Sequence, residues 1–174
     1  MGAFMLRRST TLRSAAGILL MTVIVSAPAE AADCRGLADA EAVICEVNDV
    51  RAGHGLEKLG KDRRLQRAAA AHARDMVQRG YFSHLTPEGE KLSDRLRDTG
   101  YITGRVTWRV GETLAWGRNA SSAPAATVTA WMRSASHRRI LLGHYREIGV
   151  GVVDGVPAGG GGSTYAADFG LLAG

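Results

Sequence analysis

The sequence predicts an α+β domain, with helices packed on a small antiparallel sheet. Three observations carry that expectation. Apolar residues recur at helical spacing in two early segments, at Val43, Ile44, Val47 and Val50 and then at Leu65, Ala69, His72 and Met76. The stretch "RVTWRVGETLAW" alternates at Val106, Trp108 and Val110, as a strand does. The C-terminal part reads "IGVGVV", a glycine-rich run, then "STYAADFGLL", the pattern of a two-stranded hairpin.

Residues 1–31 stand apart from this domain. They combine Arg7, Arg8 and Arg13, an apolar run from Ala15 to Val25, and small residues at Ala29 and Ala31. That is the layout of a secretory signal peptide cleaved after Ala31. A membrane anchor is the alternative, but the run is about 11 residues and a span needs about 20. The expected product is secreted, extracellular and without a transmembrane segment. Residues 32–44 form a lead-in, and residues 45–174 the domain. The two cysteines, Cys34 and Cys45, both follow the cleavage site. In an oxidising compartment they are expected to form a disulfide, which would contribute about 3 kcal/mol on the chain-entropy model.

The 174-residue chain carries a formal charge of +5. Its signal segment holds three arginines against Glu30, so the mature part is near +3. The basic spots "RRLQR" and Arg138–Arg139 lack interleaved aromatics. They read as solvated helix faces, and no nucleic-acid partner is expected. A monomer is compatible with the sequence.

Element by element, a helix is expected over Asp39–Arg51, broken by "AGHG". Leu56 and Leu59 then plug the core. Asp62 caps the second helix and Gly80 ends it. The run Ala68–Ala71 makes that helix narrow, so something packs close to it. "YFSHLTPEGEK" is a loop, and Leu92 and Leu96 mark a short helix closed by Gly100. After the strand, Ser121 or Ser122 precedes a helix with Pro124 in its first turn. Val128, Trp131 and Met132 face inward there, and Ser136 caps a further short helix. Trp131 and Trp108 are expected in the core. "AGGGG" precedes no helix, so it is a hairpin tip and not a phosphate loop.

Histidine is the side chain best suited to metal binding or proton transfer near neutral pH. Of the five present, His72 lies on an apolar helix face and reads as a core residue, while His54 and His144 sit beside turn glycines. Spacing alone leaves His84 and His137 as helix-cap residues or as members of a site.

Six segments occur in order: "NDVRAGHGLEKL", "AAAAHARDMVQRGYFSH", "GETLAWG", "AWMRSASHRRILL", "REIGVGVV" and "YAADFG". With these the chain resembles the CAP superfamily of cysteine-rich secretory, antigen 5 and pathogenesis-related class 1 proteins, in its bacterial secreted branch. The resemblance implies an α/β/α sandwich, with a small antiparallel sheet between helical layers. It also implies a cleft lined by two histidines and two acids. The histidines fall on His84 and His137 and one acid on Glu112. The second acid is replaced by Ser134, the asparagine after the glutamate by Thr113, and an aromatic on the last strand by Ala166. The cleft set is then His84, Glu112, Ser134 and His137. Of these, His84, His137 and Glu112 match the ligand set of an open zinc site. No local motif of the H-E-x-x-H kind demands a metal. A secreted binding module is the expected function, its cleft holding a lipid, peptide, cell-wall component or partner protein, with or without a divalent ion. The alternative is an extracellular metal-dependent or acid–base hydrolase or peptidase. A serine nucleophile at Ser83 or Ser134 lacks a nucleophile elbow.

Overall fold

The computed structural model describes residues 33–173, so the signal-peptide expectation lies outside the described residues. Helix α1, Asp39–Gly53, buries Val43, Ile44 and Val47 along one seam. A two-residue strand β1, Gly60–Lys61, leads into α2, Arg63–Arg79. Asp62 accepts hydrogen bonds from the backbone N–H groups of Arg64 (2.7 Å) and Leu65 (3.2 Å), capping α2. Gly80 closes it in the left-handed conformation, φ 69°. Then follow α3, Leu92–Asp98; β2, Thr107–Gly117; a 3-10 turn, Asn119–Ser122; α4, Pro124–Arg133; α5, Ala135–Leu141; β3, Glu147–Asp154; and β4, Ser163–Ala173.

The sheet order is β1-β3-β4-β2. The predicted hairpin is β3–β4, and β2 joins β4 antiparallel along its full length. The expected antiparallel sheet is therefore mixed in one respect: β1 pairs parallel with β3 over two residues. Alternation along the strands sorts the side chains into two layers. Ile148, Val150, Tyr165, Ala167 and Phe169 pack with α1, α4 and α5. Ala166 and Leu114 meet Ala69, Ala73 and Met76 of α2, while Leu65 and Ala68 continue to Leu96 and Tyr101 by α3.

The alanine run of α2 has its counterpart in β3. A Cβ built at Gly149 would lie 2.0 Å from the Gln66 nitrogen, and one at Gly151 would lie 2.3 Å from the Ala70 Cα. Helix and strand backbones thus touch, which only glycine on one side and small residues on the other permit.

Cys34 and Cys45 form the expected disulfide and tie the lead-in to α1. Arg51, buried near the end of α1, donates to the Leu141 and Gly143 carbonyls (2.8 and 2.9 Å) and so closes the C-terminus of α5. Leu59 is buried and Leu56 half-buried. Trp131 is 1% exposed and donates its indole N–H to the Leu114 carbonyl at 3.0 Å.

Two expectations need correction. Trp108 is 38% exposed, and the Arg97 guanidinium lies 6.0 Å from its ring centroid. Alternation fixes the side on which Trp108 stands, but that end of β2 is not covered; neighbouring Val106 is exposed too. Ser121 and Ser122 do precede α4, as the last residues of the 3-10 turn, with Ala123 at the N-cap and Pro124 in the first turn. Ser134, not Ser136, stands at the N-cap position of α5, because Ala135 is already helical.

Candidate functional site

Four elements converge on one carboxylate. Where Gly80 ends α2, the chain turns outward and carries His84 on the following loop. That loop is held to α2 by His72, whose Nε2 donates to the Ser83 carbonyl at 2.9 Å. Across the loop, the Glu90 N–H donates to the Thr86 hydroxyl at 3.1 Å. Arg95 of α3 donates from Nη1 to the His84 carbonyl at 3.2 Å. Glu112, on the α2 side of β2, receives both ends of this arrangement. Its Oε1 accepts from His84 Nδ1 at 2.7 Å, and its Oε2 accepts from Arg95 Nη2 at 2.6 Å. A carboxylate only accepts, so Nδ1 carries the ring hydrogen and Nε2 of His84 is left for the solvent side. The His84 side chain is 58% exposed, while that of Glu112 is buried.

A second acid stands beside the first. Glu112 and Asp168 are register partners across β2 and β4 and face the same layer. Asp168 is 0% exposed, and neither of its oxygens meets a protein donor. Burial, and then the charge of Glu112, push its carboxyl well above the carboxylate range, against the opposing pull of Arg95. Burial thus favours the neutral acid form of Asp168. His72 Nε2 lies 3.9 Å from Glu112 Oε2, and burial depresses the imidazole's pKa, so the ring is neutral at pH 7.

His137 is half-buried on α5. Burial lowers its pKa first, and the charge of His84 lowers it further. The two imidazoles thus sense one another electrostatically, while direct contact joins His84 to Glu112. The Ser134 hydroxyl pairs with that of Ser136 at 3.0 Å. The Ser83 hydroxyl accepts from the Leu85 N–H at 3.1 Å.

Sequence reasoning missed Arg95 and Asp168, and it took His72 to be fully satisfied, whereas its Nδ1 has no partner. The signals were present but faint. Arg95 shares a helical face with Leu92 and Leu96, and Asp168 interrupts the apolar run of "YAADFG". A charge in the middle of an apolar stripe is rare unless it is paired.

Among the described residues, the group of His, Cys, Asp and Glu side chains close enough to hold an ion is Cys34, Cys45 and Asp49, and its cysteines form the disulfide. No cofactor is established by that group. Among the described residues no helix is long and apolar enough to cross a membrane.

This architecture, helices on both sides of a four-stranded sheet with a buried acid beneath an exposed histidine, is that of a CAP-type domain. The sequence profile of the cysteine-rich secretory protein (CAP) family matches residues 45–165. The chain belongs to this family. A Bacillus subtilis protein, named "Uncharacterized membrane protein YlbC", is 38% identical over 107 residues, covering 60% of this chain and 29% of that protein. The crystal structure of an extracellular protein containing a SCP domain from Bacillus anthracis superposes with a TM-score of 0.64 at 28% identity, covering 75% of this chain and 39% of that one. An outer surface protein from Borrelia burgdorferi shares the fold, with a TM-score of 0.66 at 20% identity over 82% of this chain and 97% of its own. The chain spans about a third of the length of the curated relatives it matches.

Proposed function

We propose that the protein is exported and acts as a binding module, its ligand held in a cleft formed by His84, Glu112, His137 and Ser134. The observation that carries this reading is the fixed His84–Glu112–Arg95 chain. Both oxygens of Glu112 are engaged, so the acid acts on the imidazole: it sets the tautomer and turns Nε2 of an exposed ring toward incoming ligand. The signal-like N-terminus supports export, as does the extracellular protein among its structural relatives. Ligands suited to such a cleft are a lipid, a peptide, a cell-wall component or a partner protein.

Among the described residues no third His, Cys, Asp or Glu ligand joins His84 and His137, so a divalent ion would be held there only weakly. His84 Nε2 and a neutral His137 would be its ligands, with Glu112 behind His84 in the carboxylate–histidine arrangement that orients metal-binding imidazoles. Such an ion would supply a Lewis acid or a further contact for the ligand. Affinity falls as pH drops through the histidine range, about 6.5 for an unperturbed ring, because a protonated imidazole does not ligate.

The alternative is hydrolysis, and the same His84–Glu112 pair favours it, since a carboxylate-oriented imidazole is suited to general base work on water. Against a serine mechanism, the hydroxyls of Ser83 and Ser134 are engaged elsewhere. Zinc titration of the mature protein by calorimetry and by imidazole NMR, beside an esterase and peptidase screen, separates the two. We expect weak zinc binding that His84→Ala and His137→Ala both abolish, with no turnover. Turnover lost on His84→Ala would replace the binding reading with the hydrolytic one. Intact-mass analysis of exported protein tests cleavage after Ala31.

A further inference from the structure

The sheet order leaves β2 at an edge, and among the described residues no strand pairs with its outer side. Which backbone groups face outward follows from the ladder. The Gly170 carbonyl accepts from the Arg146 N–H, so Gly170 is turned toward β3. Backbone direction alternates along a strand, so Gly170, Asp168 and Ala166 serve β3, and the residues between and beside them serve β2. Their partners on β2 are Arg109, Gly111 and Thr113. Trp108, Val110, Glu112 and Leu114 therefore point their N–H and C=O groups out of the sheet. The Leu114 carbonyl bears out this phase, since it accepts from the Trp131 indole of α4. The outward groups of Trp108, Val110 and Glu112 meet no protein partner among the described residues. A bare edge templates pairing with another strand, and proteins commonly blunt it with lysine or proline. β2 carries neither.

A second, independent observation concerns side chains. Among the described residues the exposed large apolar ones are Leu37, Phe82, Leu85, Val106, Trp108 and Trp116. All but Leu37 lie on β2, directly before it, or beside His84. Clustered apolar exposure marks an interaction surface. The edge is open at Thr107–Arg109 and sinks at Gly111–Leu114. There Ile140 and Tyr145 lie against Gly111 from one layer, and His84 binds Glu112 from the other. Glu112 is 8% exposed while its side chain is 3% exposed, so what it shows the solvent is largely backbone. A recess between two layers admits a single strand. The edge of a second copy would drive its own flanking layers into α5 and the His84 loop. At the open end Arg97 is matched by Asp94, whereas Arg105 and Arg109 have no ion pair among the described residues. Unmatched cations beside a docking edge favour an acidic partner.

We infer that the β2 edge receives an extended, acidic peptide segment of a partner protein as an additional strand, paired with Trp108, Val110 and Glu112. Directly opposed residues of paired strands share a face. Apolar side chains of the peptide therefore lie beside Trp108 and Val110, and an acidic one beside Arg109. The end of the peptide reaches Glu112, next to Nε2 of His84. This deepens the binding reading of the cleft and rests on it.

The probe is the capped peptide acetyl-Val-Glu-Val-Glu-Val-amide, added to the full mature protein and followed by amide NMR and hydrogen exchange. In the free protein the Trp108, Val110 and Glu112 amides should exchange faster than those of Arg109, Gly111 and Thr113. Saturating peptide should slow the first three about tenfold or more and leave the others unchanged. N-methylation of one alternate set of peptide amides should abolish binding and that of the other set should spare it, because only one set faces β2. Arg109→Glu should weaken binding about tenfold or more and turn the preference toward acetyl-Val-Lys-Val-Lys-Val-amide. Arg109 is exposed, so this variant should keep the wild-type melting temperature and report on the edge alone. The inference is overturned if the peptide does not bind with a Kd below about 5 mM. It is equally overturned if both N-methylated peptides bind as well as the parent, or if a dimer of the free protein already protects the outward amides. Zinc titration of the same samples keeps the two readings apart. Zinc binding that His84→Ala abolishes, without peptide binding, overturns this inference and leaves the cleft standing; loss of both overturns both.

Discussion

On one face of the sheet Ile148, Val150, Tyr165 and Phe169 meet α1 and Trp131 in a continuous apolar layer. On the other face the same strands place Glu112 and Asp168 among His72 and Arg95, beneath α2 and α3. Of the buried side-chain polar atoms without a partner among the described residues, all but the Thr113 hydroxyl belong to this second layer. The first face gains from removing apolar surface from water, about 25 cal/mol per Å². The second gives up part of that gain to hold ionisable groups in fixed positions, and there the exposed His84 is anchored. One sheet thus separates the work of holding the fold from that of presenting chemistry.

The sharpest way to break this comparison is to remove one large residue from each face. Trp131→Ala should cost about 3–5 kcal/mol, by the same amount at pH 4 and pH 7, because no charge is involved. Arg95→Ala should cost about 3–5 kcal/mol at pH 7, since it strips the cation from a buried acid. Its cost depends on pH. Without Arg95 the pull that opposes the raised pKa of Asp168 is gone, so that carboxyl keeps its proton to higher pH still, and the penalty fades as pH falls toward about 4. Denaturant melts at both pH values decide, and a penalty for Arg95→Ala that does not change with pH would erase the distinction between the faces.

The close contact of β3 with α2 belongs to neither class. Gly151→Ala forces a methyl group against the backbone at Ala70 and should cost about 1–3 kcal/mol or more, read as a lowered denaturation midpoint at unchanged m value. A neutral result would mean that the helix can ride outward freely.

Asp168→Asn should act in the opposite direction. The folded carboxyl titrates above its unfolded value, so its contribution is fully present below about pH 3.9 and is lost as pH rises toward the folded pKa. An asparagine does not suffer that loss. The variant should melt a few degrees above wild type at pH 7 and show no advantage at pH 3. Lower stability at pH 7 would show that the carboxyl contributes more to the folded state than its burial costs.

The smallest effect is expected at the other tryptophan. Trp108→Ala should change stability by less than about 1 kcal/mol, since the ring is partly exposed and its cation–π contact with Arg97 is a weak one. A loss comparable to that of Trp131→Ala would restore Trp108 to the core.

Much of this fold was legible before any coordinates. The cap at Asp62, the stop at Gly80, the hairpin of β3 and β4 and the close approach signalled by Ala68–Ala71 are all written in spacing and residue type. Motif order brought His84, Glu112 and His137 forward. Trp108 was misjudged because alternation says which way a side chain points and not whether anything covers it. Arg95 and Asp168 were passed over because each is a single charge in an apolar segment, with no local pattern to name its partner.

Helices, caps, turns and the disulfide were determined by the sequence itself, because the interactions behind them act over a few residues or through a scarce residue type such as cysteine. The setting of Glu112 was decided by tertiary structure alone. The β2–β4 register sets Asp168 opposite it, and the docking of α3 brings Arg95 to its second oxygen. Pairing between distant segments and the raised pKa of a buried acid depend on which surfaces exclude water together, and that follows only from the assembled fold.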